Sequence, residues 1–161
     1  MIRASGALAA LSLLACLAGA QDLVFTPAAD AAVREDQQDA NLATGELLVQ
    51  RDDYSAGSRW KRAFLRFDVL GLGASAPQAL TLELFEGDGS AGDAHFEVRA
   101  VDASWSETGL TWRNQPATAG RRLGVYSGPK LGEGQLVRIP LDPAWIRADG
   151  LGYSGGVTAG A

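Results

Sequence analysis

The chain predicts an all-β protein built as a β-sandwich, with one short helical turn near the C-terminus. Three observations carry that expectation. Apolar and polar residues alternate with period two over several short runs. Turn clusters rich in Gly, Asp and Ser separate those runs. Only Asp142-Pro143 offers a good helix start, an N-cap followed by Pro at the first helical position. A twisted sheet with one apolar face must cover that face with a second sheet, and so the strands imply a sandwich.

The elements follow in order. Short alternating runs occur at Ala31 to Arg34 and Leu47 to Arg51. In the next run Ala63, Leu65, Phe67 and Val69 share one face, while Arg62, Phe64, Arg66 and Asp68 share the other. Leu80, Leu82 and Leu84 alternate against Thr81, Glu83 and Phe85, and Ala94, Phe96, Val98 and Ala100 against His95, Glu97, Arg99 and Val101. Leu136 to Ile139 is a further short run, and Ala144 to Arg147 continue the helix start into one or two turns. The Gly-rich residues 149–161 build no convincing strand and are expected as a flexible tail: either the last strand is missing or Leu151 to Val157 forms a poor one.

The first twenty residues have Arg3 as their only charge, an apolar run from Leu8 to Leu17, and small residues at Ala18 to Ala20. That pattern is a secretory signal peptide, too short for a membrane span, with cleavage expected before Gln21. Leu13-Leu14-Ala15-Cys16 also resembles a lipoprotein box, so lipid anchoring at Cys16 is the minor alternative, with the cell envelope or a partner protein then in reach. Cleavage after Ala20 leaves a chain without cysteine, whose core must suffice without a disulfide. The domain is expected over residues 21–148.

The 161-residue chain carries a net charge of −5, and the loss of Arg3 makes it −6. This acidity argues against a general nucleic-acid binder. Its cations are nonetheless biased, with twelve Arg against Lys61 and Lys130. Arg presents a planar fork that grips carboxylates in two-pronged fashion, so clustered Arg suits local recognition of an anion.

Two blocks of residues resemble a known family. Ala29-Asp30-Ala31-Ala32-Val33-Arg34-Glu35, then Asn41, Leu47-Leu48-Val49 and Lys61 to Asp68 match the opening of DNRLRE domains. Leu80 to Phe85, Val98 to Val101, Trp105-Ser106-Glu107 and Thr111-Trp112-Arg113-Asn114-Gln115-Pro116 match their middle. The resemblance spans about residues 24–148 and extends to carbohydrate-binding module family 96. It implies a jelly-roll-type sandwich, a non-catalytic module of secreted bacterial proteins, and a polysaccharide partner such as alginate. The chain departs from the pattern in its Gly-rich tail and in Leu42-Ala43-Thr44-Gly45, where an aromatic-Gly pair is usual.

Trp60, Arg62 and Arg66 then form the candidate carbohydrate face, to which Arg34, Arg51 and Arg99 would add. Guanidinium forks would bond sugar carboxylates while an aromatic ring stacks on the sugar. The competing expectation is a solvated face neutralised by Asp68, Glu83 and Glu97 in cross-strand pairs. Trp105, Glu107, Trp112, Asn114 and Pro116 read as a structural signature, with Asn114 holding the loop by side-chain-to-backbone bonds. Asp36 and Asp39, Asp52 and Asp53, or Asp88 and Asp93 lack the spacing of a calcium loop, so no metal or other cofactor is expected. His95 has no Gln or Tyr motif beside it, and no nucleophile elbow or two-His metal motif is present, so a lyase or hydrolase finds no assembled site. A structural or adhesive surface domain is the alternative to sugar binding.

Overall fold

Strand β6, Trp60–Val69, shows how alternation sorts the chain. Lys61, Ala63, Leu65, Phe67 and Val69 are buried on one side, and Arg62 and Arg66 lie half-buried on the other. The computed structural model describes residues 2–4, 10–14, 23–43, 47–51, 60–69, 77–87, 92–145 and 153–160. Ahead of β6 come β1 (Ile2–Ala4), β2 (Ala10–Leu14), β3 (Leu23–Phe25), β4 (Ala29–Arg34) and β5 (Leu47–Arg51). After it come β7 (Ala79–Phe85), β8 (Ala94–Val101), β9 (Arg122–Gly128), β10 (Leu136–Leu141) and β11 (Tyr153–Gly160).

These strands form two antiparallel sheets, and the architecture is an all-β sandwich. One sheet runs β1-β5-β6-β11-β8-β9, with β4 on the other side of β6; the second runs β10-β7-β2-β3. The main core fills the space between them. Leu65, Phe67, Phe96 and Val98 come from the larger sheet, and Leu80, Leu82, Val137 and Ile139 from the smaller. Each such side chain contributes roughly 1.5–3 kcal/mol when fully buried. A 3-10 turn at Pro143–Trp145 carries Trp145 onto this core. Asp142 starts that turn by accepting the Ala144 N–H at 2.9 Å.

Two terminal segments pair into the sheets. Tyr153–Gly160 lies within the presumed flexible tail, yet it forms strand β11 between β6 and β8. Its register runs from Tyr153 opposite Val69 to Ala159 opposite Ala63, and from Gly156 opposite Val101 to Gly160 opposite Glu97. The open edges of β6 and β8 present backbone donors and acceptors, and pairing with both overrides a poor strand propensity. The N-terminal stretch also enters the sheets. Strand β1 pairs with β5, and β2 lies between β7 and β3, with Leu11 opposite Leu82 and Leu13 opposite Leu80.

Candidate functional site

A second, smaller core sits on the outer face of β4 and β6. Ala29, Ala31, Val33 and Phe64 form its floor, and Trp105 and Leu110 close over it. Phe64 is fully buried although its neighbours on the same face are Arg62 and Arg66. Its ring meets the Trp105 ring edge-on, with centroids 6.0 Å apart at 68°. The Trp105 to Pro116 segment is therefore a cover for the face on which the candidate arginines stand.

Local hydrogen bonds hold that cover in shape. Glu107–Gly109 is a 3-10 turn, and the Leu110 N–H donates to the Ser106 carbonyl at 3.0 Å. Asn114 Oδ1 accepts from the Thr111 N–H at 2.7 Å, and its Nδ2 donates to the Gly109 carbonyl at 2.8 Å. Asn41 clamps the turn from the far side, its Nδ2 donating to the carbonyls of Glu107 (2.7 Å) and Leu110 (2.9 Å). The carboxyl of Asp30 in β4 is pushed above the ordinary aspartate range, first by burial and then by the charge of Glu107.

The arginines of β6 are woven into the cover. The Arg62 guanidinium lies 4.7 Å from the Trp112 ring centroid and 5.7 Å from that of Trp60. Its Nη1 donates to Gln115 Oε1 at 2.9 Å, and Gln115 Nε2 in turn donates to the Trp112 carbonyl at 2.8 Å. Burial draws the Arg62 pKa below its ordinary value, and the nearby Glu35 charge opposes that shift. Arg62 nonetheless stays cationic at neutral pH. Arg66 lies 5.8 Å from the Trp105 ring centroid, and its Nη1 donates to the Trp105 carbonyl at 3.0 Å. Among the described residues no carboxylate forms an ion pair with either Arg62 or Arg66.

The other candidate cations are placed differently. Arg34 stands opposite Lys61 in the β4–β6 register while Val33 stands opposite Arg62, so Arg34 points away from the Arg62 face. Its guanidinium binds both carboxylate oxygens of Asp36, at 3.0 and 2.8 Å. Arg99 is neutralised by Glu97 at 2.9 Å and also donates to the Gly120 carbonyl at 3.1 Å. Arg51 is paired with Trp60 through the backbone, and its side chain lies outside the described residues. Glu83 serves Arg138 and Glu97 serves Arg99 and Arg122, so these expected neutralisers act elsewhere than on Arg62 and Arg66. Asp39 pairs with Arg113 at 2.7 Å, whereas Asp52, Asp53 and Asp88 lie outside the described residues.

A cavity of about 550 Å³ opens against the same cover, with Trp105 in its wall. Asp102, Ser104, Ser106 and Asn114 supply its polar lining, and Leu110 and Pro116 its apolar lining. Sequence reasoning passed over Asp102 and Ser106 because nothing in the spacing of strand-end Asp and Ser separates a cavity wall from an ordinary turn. It also passed over Gln115 as a partner for Arg62, though Gln115 stands inside the block already singled out.

Carbohydrate-binding module family 96 matches residues 21–131, more than half of the chain, and the match contains both the Arg62 strand and the Trp105 cover. The chain belongs to that family. The family assignment makes it a carbohydrate-binding module, with polysaccharide as its class of partner. Comparison with curated proteins gives no match. No helix among the described residues is long and apolar enough to cross a membrane.

Proposed function

We propose that this module binds an acidic polysaccharide such as alginate, without catalysis, and that it does so as a secreted protein. The supporting observation is the condition of Arg62 and Arg66. Both are half-buried cations beside indole rings, and both donate to neutral oxygens while other arginines of the sandwich are matched to carboxylates. A uronate carboxylate would supply the direct ion-pair partner that neither guanidinium has among the described residues, and each fork keeps donors beyond the one committed to Gln115 or Trp105. Trp60 and Trp112 flank Arg62 and provide flat surfaces for a sugar ring. Shallow contacts of this kind give modest affinity, and several modules on one polymer raise it by avidity.

Affinity electrophoresis in gels containing alginate, pectin or a neutral glucan tests this reading. Retardation by alginate is expected, with a clear reduction in Arg66→Gln. Retardation by no polyuronate, or by all polymers equally in both proteins, sinks it. The flat absorbance of alginate incubated with the protein is the matching check on catalysis, since a lyase releases unsaturated uronates that absorb in the ultraviolet.

The second reading, a structural or adhesive surface domain, is favoured by one observation. Arg62 is already sandwiched and bonded within the fold, as a cation that only braces a loop would be. Unaltered mobility in every gel, together with loss of stability in Arg62→Ala, is the outcome that selects it.

A further inference from the structure

The cavity shares Trp105 with the Arg62–Arg66 site but neither arginine is among its lining residues, and its chemistry is of the opposite kind. Among the described residues that line it, Asp102 is the one charged side chain and none is a cation. Ser106 stands at the N-cap position of the 3-10 turn, where a serine hydroxyl ordinarily accepts from the backbone, yet it makes no capping bond. Gly109 beside it has no side chain, and a Cβ there would come within 2.6 Å of Ser106 Oγ. The glycine thus leaves the hydroxyl its place at the cavity wall. Asn114 is fixed by its three bonds to Thr111 and Gly109, so the polar lining is held rigidly before any ligand arrives. The volume falls within the roughly 300–1,000 Å³ of small-molecule sites.

We infer that this cavity is a second ligand site, one that takes a neutral, hydroxyl-rich sugar unit. The inference rests on the carbohydrate-binding reading of the module, though not on its acidic-polysaccharide form. Asp102 Oδ1 accepts the Ser104 N–H at 2.7 Å and the carboxylate also takes the Ser104 hydroxyl, and its remaining lone pairs are the acceptors offered to a sugar hydroxyl. Ser106 Oγ both donates and accepts, and so it matches a hydroxyl in either sense. Leu110 and Pro116 offer apolar surface to the C–H face of a pyranose. The hydroxyl and N–H of Ser104 hold the Asp102 carboxyl below its ordinary range, so it remains an acceptor into mildly acidic conditions. The same charge turns away a uronate. The module would thereby read a negative residue at Arg62 and Arg66 and a neutral one at the Asp102 cavity.

The test is titration of the isotope-labelled protein with methyl β-D-glucopyranoside, methyl β-D-galactopyranoside and methyl α-D-mannopyranoside, followed through backbone amide shifts. D-Glucuronate and D-glucosamine are the charged comparisons. Saturable shifts at Ser104, Ser106 and Gly109 with a neutral glycoside are expected, stronger than with glucuronate. Affinity should fall about tenfold in Asp102→Ala, the order expected for loss of a hydrogen bond to a charged group. Ser106→Ala should weaken it as well, and this variant removes a hydroxyl that caps nothing, so the fold is left intact. Arg138→Gln, in an ion pair with Glu83 on the other sheet, should leave the shifts unchanged. The inference is overturned if no neutral glycoside produces saturable shifts there, if glucosamine alone does, or if Ser106→Ala and Asp102→Ala both bind as the parent does. Retardation by alginate should survive Asp102→Ala, so failure of this site and failure of the Arg62–Arg66 site give separate results.

Discussion

Phe64 and Trp105 decide what the outer face of β6 is. A fully buried Phe between two arginines needs an apolar partner, and the edge-on indole of Trp105 provides it. Phe64→Ala is therefore expected to cost about 3–5 kcal/mol, read as a lower urea midpoint, since the rigid cover cannot collapse into the space left. Asn114→Ala is expected to cost about 0.5–1.5 kcal/mol, since the bonds to the Thr111 N–H and the Gly109 carbonyl are exposed and water takes the place of the lost partner. Part of this was legible in the chain. Alternation placed Phe64 beside Arg62 and Arg66, and an apolar residue on an otherwise charged face signals a hidden contact. The partner was not legible, because Trp105 lies some forty residues away and period-two patterning assigns a side to each residue without saying what covers that side.

Strand β4 separates residues that composition alone would group. Arg34 and Arg62 belong to adjacent strands, but the register turns them to opposite faces, and a shift of one residue would have reversed that result. The register also half-buries Asp30, whose carboxyl the fold prefers protonated. A raised carboxyl pKa means that ionisation works against folding; the cost is full above the raised value and vanishes below the ordinary 3.8. Asp30→Asn should consequently melt at a higher temperature than the parent at neutral pH. The gap should close as pH falls through the acidic window toward 3.8, which thermal scans across that range will show. Strand β11 makes the complementary point. Its glycines read correctly as weak strand formers, yet the vacancy between β6 and β8 that recruits them exists only once those distant strands are in place.

At the scale of the whole molecule, the sandwich and the family follow from features spread along the chain, which is why both were legible early. The core alternates from Leu47 to Leu141, and the two matching blocks sit in order within it. The fate of the N-terminus belongs to the same scale. Secretion predicts a mature chain whose mass begins at Gln21, against a lipid-modified Cys16 if the alternative holds; intact-mass measurement distinguishes them. Removal of residues 1–20 would take β2 away from β7. The amides of β7 that face β10 should then keep slow hydrogen exchange, while those that faced β2 exchange faster.

The stacking of Arg62 between Trp60 and Trp112 has an optical consequence. A guanidinium held within 6 Å of two indole centroids polarises both excited states, and Trp112 is half exposed, where it responds to changes at the surface. A polyanion that draws the cation toward itself alters both chromophores at once. The module therefore carries its own reporter, and the wavelength of its emission during titration with polyuronate tracks the very contact on which the binding proposal depends.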